Sequence, residues 1–339
     1  MGNLEIGGNA PISVQSMTNT DTKNISDTVA QIKRMEKEGC ELVRVAIPDS
    51  ESCYSLSLIK KEISIPLVAD IHYDYKLALK SIECGVDGLR INPGNIGNDE
   101  KIKLVINSAK KMNLPIRFGI NSGSLDKNIL KKYKKVTPQA LVESAVNVIK
   151  ILDELNYHNV IFSIKSTNIV NTIEANNIFS LKYDYPLHLG ITEAGPPFQG
   201  SIKSSVGIGA LLFQGIGDTI RVSLTGDPVE EIKVGYEILK ALHLRQRGPN
   251  LISCPTCGRC KVDLDKIVTK LEKQICHIDK PLNIAVMGCM VNGPGEAREA
   301  DIGVAFDKER GVLFKKGEII AKSSDKIIIK RLLEEIKNT

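Results

Sequence analysis

Short, β-branched apolar runs alternate with helical patterns eight times before residue 245, and that alternation leaves few folds open. The runs cover residues 11–17, 41–47, 66–71, 88–92, 115–120, 160–166, 186–192 and 219–224. Each has the length of a buried strand and ends in polar or glycine-bearing sequence. Helical stretches lie between them, among them residues 26–39, 76–85, 99–112 and 227–242. Thr137 stands before Pro138 as an N-cap stands before a first-turn proline. Strand then helix, eight times over, predicts an α/β fold: a (β/α)8 barrel of the TIM type across residues 1–245. A doubly wound open sheet is the alternative, because strand order is invisible in sequence.

After residue 245 the character changes. Gln246-Arg247-Gly248-Pro249-Asn250 reads as a linker over residues 246–250. Residues 251–339 read as a second, small α/β domain: a cysteine cluster, short strands at 283–287 and 301–306, a hairpin over 311–322 and a closing helix.

The charge balance excludes some partners. Forty-five basic against 40 acidic residues leave a net +5, and the two signs are interleaved. The basic cluster at 131–135 reads as a solvated helix face. Only 4% of residues are aromatic and none is tryptophan, which argues against base-stacking surfaces and a nucleic-acid partner. No run approaches the roughly 20 apolar residues of a membrane helix. The start of the chain lacks a basic, apolar leader, so the expectation is a cytoplasmic protein with its eight cysteines as thiols or metal ligands.

In such barrels the chemistry collects where strands end. The strand ends here carry Arg44, Asp70 with His72, Arg90 with Asn92, Arg117 with Asn121, Lys165, His188 with Glu193, and Arg221 with Ser223. Arginine is scarce, 11 against 34 lysines, yet four arginines fall in these apolar settings. A buried guanidinium needs an anion, and its planar fork pairs with carboxylate or phosphate. Asp70 and Glu193 are too few to pair all four, so a phosphorylated or diphosphorylated small molecule fits better than internal ion pairs alone. Lys165 reads as a phosphate ligand, with a Schiff-base lysine as the alternative. His72 and His188 read as acid–base groups or as hydrogen-bonded core residues. Glu193, in the rigid turn at 190–197, reads as a proton donor or a helix cap. Cys40, Cys53 and Cys84 show no metal spacing and read as structural.

Cys254, Cys257 and Cys260 form a C-x2-C-x2-C run, and Cys289 follows in Gly288-Cys289-Met290-Val291-Asn292-Gly293-Pro294-Gly295-Glu296. Structural zinc commonly takes two C-x2-C hooks, and the second is missing. A close run plus one distant ligand suits an iron–sulfur cluster. Spacing leaves the fourth ligand open. Cys260 would complete an all-cysteine relay, whereas Glu296 in its place would leave one iron open to substrate.

Six motifs then identify a resemblance over essentially the whole chain. They are Pro11-Ile12-Ser13-Val14-Gln15-Ser16-Met17-Thr18-Asn19-Thr20, Val68-Ala69-Asp70-Ile71-His72, Leu89-Arg90-Ile91-Asn92-Pro93-Gly94-Asn95-Ile96-Gly97, His188-Leu189-Gly190-Ile191-Thr192-Glu193-Ala194-Gly195, Ser253-Cys254-Pro255-Thr256-Cys257-Gly258-Arg259 and the Gly288–Glu296 segment. The chain closely resembles the 4-hydroxy-3-methylbut-2-enyl diphosphate synthases of the non-mevalonate isoprenoid pathway, in their compact two-domain form. The resemblance implies a [4Fe–4S] cluster on Cys254, Cys257, Cys289 and Glu296. It implies reductive ring opening and dehydration of 2-C-methyl-D-erythritol 2,4-cyclodiphosphate, with two electrons from ferredoxin or flavodoxin. It places Arg44, Arg90, Asn92, Arg117, Asn121, Lys165, Arg221 and Ser223 around the substrate, Asp70 and His72 beside it, and Glu193 as proton donor. It also implies a homodimer in which one chain's cluster domain caps the partner's barrel. Two departures mark this chain: Cys260 itself, and Asn121-Ser122-Gly123-Ser124-Leu125 where relatives often carry a tryptophan.

Overall fold

The computed structural model describes residues 1–291, 295, 300–308 and 310–338. They form two compact units, Met1–Arg245 and Gln246–Thr339.

The first unit has eight strands: β1 (Ser13–Met17), β2 (Leu42–Ala46), β3 (Leu67–Ile71), β4 (Gly88–Ile91), β5 (Ile116–Asn121), β6 (Val160–Lys165), β7 (His188–Leu189) and β8 (Thr219–Ile220). Its helices are α1 (Ile25–Lys37), α2 (Ser50–Glu62), α3 (Tyr75–Glu83), α4 (Pro93–Ile96), α5 (Asp99–Lys111), α6 (Lys127–Tyr133), α7 (Pro138–Leu155), α8 (Ile169–Ser180), α9 (Pro197–Phe213) and α10 (Pro228–Ala241). The strands pair in parallel in the order β6-β5-β4-β3-β2-β1-β8-β7. A parallel bridge between Phe162 and Leu187 joins β6 to β7 and closes the ring, which excludes the open sheet.

Alternation along the strands decides what faces where. In β5, Ile116, Phe118 and Ile120 join the apolar layer between strands and helices, which puts Arg117, Gly119 and Asn121 on the other face. In β3, Leu67, Ala69 and Ile71 join that layer, leaving Asp70 to the interior. The helices begin where the sequence marks them. The Thr137 side chain accepts from the Ala140 amide at 3.1 Å with Pro138 in the first turn, a cap of about 1 kcal/mol.

Two strands are shorter than the apolar runs suggest. β7 and β8 hold two residues each, because both segments leave the ladder early to form loops. In the loop after β7, Glu193 (φ 53°) and Gly195 (φ 108°) adopt left-handed backbone.

The second unit is a five-stranded sheet, order β13-β12-β11-β10-β9. Its strands are β9 (Pro249–Ser253), β10 (Leu282–Met287), β11 (Ile302–Asp307), β12 (Arg310–Lys315) and β13 (Glu318–Ser324). The helices α11 (Leu264–Ile275) and α12 (Asp325–Asn338) pack Leu271, Ile275, Ile328 and Leu332 against Ile284, Val304 and Phe306. Pro249 and Asn250, expected in the linker, instead open edge strand β9 alongside Leu282 and Asn283 of β10. An edge strand needs pairing on one side only, so its proline is tolerated.

Gly303 in β11 has no room for a side chain: a Cβ would fall 2.4 Å from Phe314 Cζ and 2.6 Å from the Ala285 carbonyl oxygen. Gly303→Ala is therefore expected to destabilise the second unit by about 1–3 kcal/mol. A urea titration followed by far-UV dichroism checks this, and an unchanged profile contradicts the packing described.

Candidate functional site

The barrel interior gathers most of the charged residues expected at strand ends. Register does the first part: Arg44 lies opposite Met17 and Val68, Asp70 opposite Arg90, Arg90 opposite Arg117, and Asn121 opposite Lys165. Asp70 is the hub. Its Oδ1 accepts from Arg90 Nη1 at 3.0 Å, and its Oδ2 lies 3.4 Å from both Arg44 Nε and His72 Nε2. Burial alone would raise this carboxyl, but Arg44 and Arg90 outweigh it and hold it well below the usual carboxylate range. Gly119 makes room for the pair, since a Cβ there would stand 2.7 Å from the Arg90 guanidinium.

A second carboxylate, Glu231 on α10, escaped the sequence reading. It is 3% exposed and takes Arg221 Nε and Nη2 at 3.2 Å each, the Leu224 amide at 3.0 Å and Ser16 Oγ at 2.8 Å. The signal was present but had a blander reading, because an acid in the first turn suits any helix N-terminus. Met17 was missed too: its Sδ accepts from Arg44 Nε at 3.2 Å and Nη2 at 3.1 Å.

Arg117, 1% exposed, donates through Nη1 to Gln15 Oε1. Its Nη2, with Gln15 Nε2 and His188 Nε2, is buried without a hydrogen-bond partner among the described residues. Lys165, 7% exposed, pairs with no described carboxylate, and burial, then Arg117 and Arg44, push its ammonium well below the ordinary lysine range. Burial, then Arg117 and Lys165, likewise keep His188 neutral at neutral pH, with Nδ1 3.4 Å from Thr219 Oγ1. Five basic groups thus face two carboxylates, a surplus of three basic groups over acidic ones. Unpartnered donors and surplus charge together describe a site that takes an anion bearing several oxygens.

Other expected residues stand differently. Asn92 caps α4, accepting from the Gly94 amide at 3.0 Å, and donates to Ser124 Oγ, so its amide ties the start of α4 to the loop after β5. Asn121 and Ser223 are half-buried at the ends of their strand segments, and His72 is half-exposed. Glu193 is exposed, with no described cation paired to it. Its left-handed backbone is strain of about 1–3 kcal/mol for a residue other than glycine.

In the second unit, β9 and β10 run parallel with Ser253 opposite Val286. Cys254 directly follows β9, and Cys289 comes two residues after β10. The Gly288 amide donates to Cys254 Sγ at 3.2 Å. The Cys260 amide donates to the Cys257 carbonyl at 2.9 Å, closing a turn, and Cys257 is exposed. Cys260 turns its thiol to the Val262 carbonyl at 3.2 Å and against Gly288, where a Cβ would meet Cys260 Sγ at 2.4 Å. Among the described residues no three Cys, His, Asp or Glu converge as a metal centre, and Glu296 lies outside the described residues. The donor set still suits an iron–sulfur group: adjacent sheet ends carry thiols, and a backbone amide already points at one sulfur.

Fold and site define a class: a (β/α)8 barrel with an interior rich in basic groups, joined in one chain to a small thiol-bearing sheet domain. Two family models match, the GcpE TIM-barrel domain over residues 1–236 and the GcpE protein C-terminal domain over residues 250–338. The chain belongs to the GcpE family. It is 57% identical to a protein of Caldanaerobacter subterraneus subsp. tengcongensis over 99% of this chain and 95% of that one. It is 56% identical to one of Clostridium tetani, covering 100% and 97%. A third, from Geobacter sulfurreducens, is 52% identical over 99% and 96%. All three are named 4-hydroxy-3-methylbut-2-en-1-yl diphosphate synthase (flavodoxin). Among solved structures, a dihydropteroate synthase from Coxiella burnetii aligns at TM-score 0.50 with 10% identity, over 70% of this chain and 94% of that one. That likeness is one of fold alone. No described helix is long and apolar enough to cross a membrane.

Removing the hub tests the charge arrangement. Asp70→Asn leaves Arg44 and Arg90 buried without their carboxylate and is expected to cost about 3–5 kcal/mol. Equilibrium denaturation checks it, and a loss below about 1 kcal/mol would mean the arginines find other acceptors.

Proposed function

We propose that this chain is a cytoplasmic 4-hydroxy-3-methylbut-2-enyl diphosphate synthase, reducing and dehydrating the cyclic diphosphate with electrons from flavodoxin. The observation that carries the reading is the cationic interior, five cations against Asp70 and Glu231, which suits a diphosphate. The names of relatives at 52–57% identity support the reaction and the donor. A [4Fe–4S] cluster held by Cys254, Cys257, Cys289 and Glu296 would supply two electrons, one at a time. In the same reading a homodimer brings each cluster domain to the partner's barrel.

The barrel's own residues do the rest. Arg44, Arg90, Arg221 and Lys165 hold the diphosphate, and Arg117 backs them from beneath through Gln15. Asn121 and Ser223 add hydrogen bonds at the rim, and Asn92 shapes the loop that carries α4. Asp70 stays ionised between two arginines, so it fixes their direction and does not shuttle protons. His72, hydrogen-bonded to Asp70, stands at the solvent edge. Glu193 protonates the departing hydroxyl, which leaves as water while the ring opens. Its left-handed backbone sets the carboxyl on the turn after β7, exposed and paired with no described cation. Glu296 is the fourth ligand in this reading, with Cys260 as the alternative.

The decisive experiment is anaerobic EPR of the dithionite-reduced protein with and without the cyclic diphosphate. A cluster signal that changes on adding substrate supports the reading; an indifferent signal favours an all-cysteine relay through Cys260. Glu193→Gln is expected to lower kcat about 100-fold or more while substrate binding and iron content hold. Unchanged turnover removes Glu193 from the reaction.

Lys165 adds a pH signature. Its ammonium is depressed in the free barrel, and an arriving anion raises it. Between those two pKa values binding takes up a proton, so affinity falls as pH rises, by up to about tenfold per unit. Calorimetry in buffers of different ionisation enthalpy reads the uptake. Proton release on binding would contradict it.

A further inference from the structure

Met17 has no part in the reading above, yet two arginines of the barrel meet at its thioether. Arg44 directs Nε and Nη2 at Sδ from 3.2 and 3.1 Å, and Arg221 directs Nη1 at it from 3.8 Å. Each guanidinium is anchored elsewhere by one carboxylate, Arg44 by Asp70 at 3.4 Å and Arg221 by Glu231 at 3.2 Å. Met17 faces Arg44 across the β1–β2 ladder and is half-buried. Packing alone does not ask for sulfur there, since leucine has nearly the same volume.

A thioether is a weak, neutral, polarisable acceptor. It can take N–H groups from two cations without cancelling either charge. We propose that Met17 is a positioning residue for the diphosphate: it sets the spacing of Arg44 and Arg221 and preserves the surplus of three basic groups over acidic ones. A carboxylate at position 17 would orient the same two arginines but cut the surplus to two. Apolar carbon would keep the surplus and lose the spacing. The inference rests on the diphosphate reading of the barrel and deepens it.

The test uses the cluster-loaded enzyme and three variants, Met17→Leu, Met17→Gln and Met17→Glu. Inorganic pyrophosphate binding is measured by calorimetry at low and high salt. KM and kcat are measured with the cyclic diphosphate and reduced flavodoxin, and thermal melting reports folding. Met17→Leu should raise the pyrophosphate Kd and the substrate KM about tenfold, with kcat within about twofold. Met17→Gln, a neutral acceptor, should return to within about threefold of the parent. Met17→Glu should bind most weakly and show the flattest salt dependence, because the favourable field is smaller.

Equal affinity in parent and Met17→Leu, or a loss confined to kcat, overturns the proposal while the diphosphate reading stands. Should Met17→Leu fail to fold, equal affinity of the Gln and Glu variants overturns it instead. A parent protein that neither binds pyrophosphate nor turns over the cyclic diphosphate overturns the reading itself, and this inference with it.

Discussion

Everything in the first unit is arranged around like charges that would otherwise repel. Two unit charges about 4 Å apart interact by about 4 kcal/mol in a partly screened protein setting. Arg44, Arg90, Arg117, Arg221 and Lys165 share one barrel interior, and Arg44 is disfavoured by burial and by its arginine neighbours alike. Asp70 and Glu231 compensate two of the five. Each does so from a separate element, β3 and α10, so the cations are tied to the scaffold at both sides of the ring. The remaining surplus suits an anion, as do the buried nitrogens on Arg117, Gln15 and His188 that have no described partner. The barrel tolerates this because its apolar layer lies outside the strands and is not interrupted by the charges.

The sequence made the architecture legible wherever period and length agreed. Eight apolar runs became eight strands, and the Thr137-Pro138 start became a capped α7. The ring closure had no local signal: it depends on one bridge from Phe162 to Leu187, residues that no pattern links. β7 and β8 were overread because apolar residues continue past the ladder, as Ile191 and Val222 do, packing their side chains without strand pairing. β9 was overlooked for the opposite reason, a proline-bearing polar start that only an edge position permits.

The site was legible in its cations and illegible in their partners. Arginines in apolar runs stand out because burial makes them costly, and four such arginines pointed to an anion. Glu231, Gln15 and Met17 did not stand out, because an acidic helix start, a buried amide and a buried thioether are ordinary in isolation. Only register and packing turn them into acceptors for named guanidinium groups. Asn92 shows the converse, a polar residue at a strand end whose bonding capacity goes to two loops, its own and the one after β5. The cysteine run announced its chemistry by spacing, but the direction of the Cys260 thiol, toward Val262 and against Gly288, depends on the fold of the turn.

Carboxyl groups in and around the barrel divide by what surrounds them, and that division orders the chemistry. Asp70 is buried between Arg44 and Arg90, and Glu231 is buried against Arg221, so both serve geometry. Glu193 sits on a loop whose backbone is left-handed at the residue itself, exposed and paired with no described cation. A proton donor must lose and regain its proton in every turnover, which a carboxylate locked between arginines cannot do. In the proposed reading the donor stands on this loop while the guanidinium groups hold the diphosphate, so the two tasks fall to different carboxyl environments. The left-handed backbone at Glu193 sets this one carboxyl where the chain turns after β7, and strain of that kind is a reason to test the residue for function.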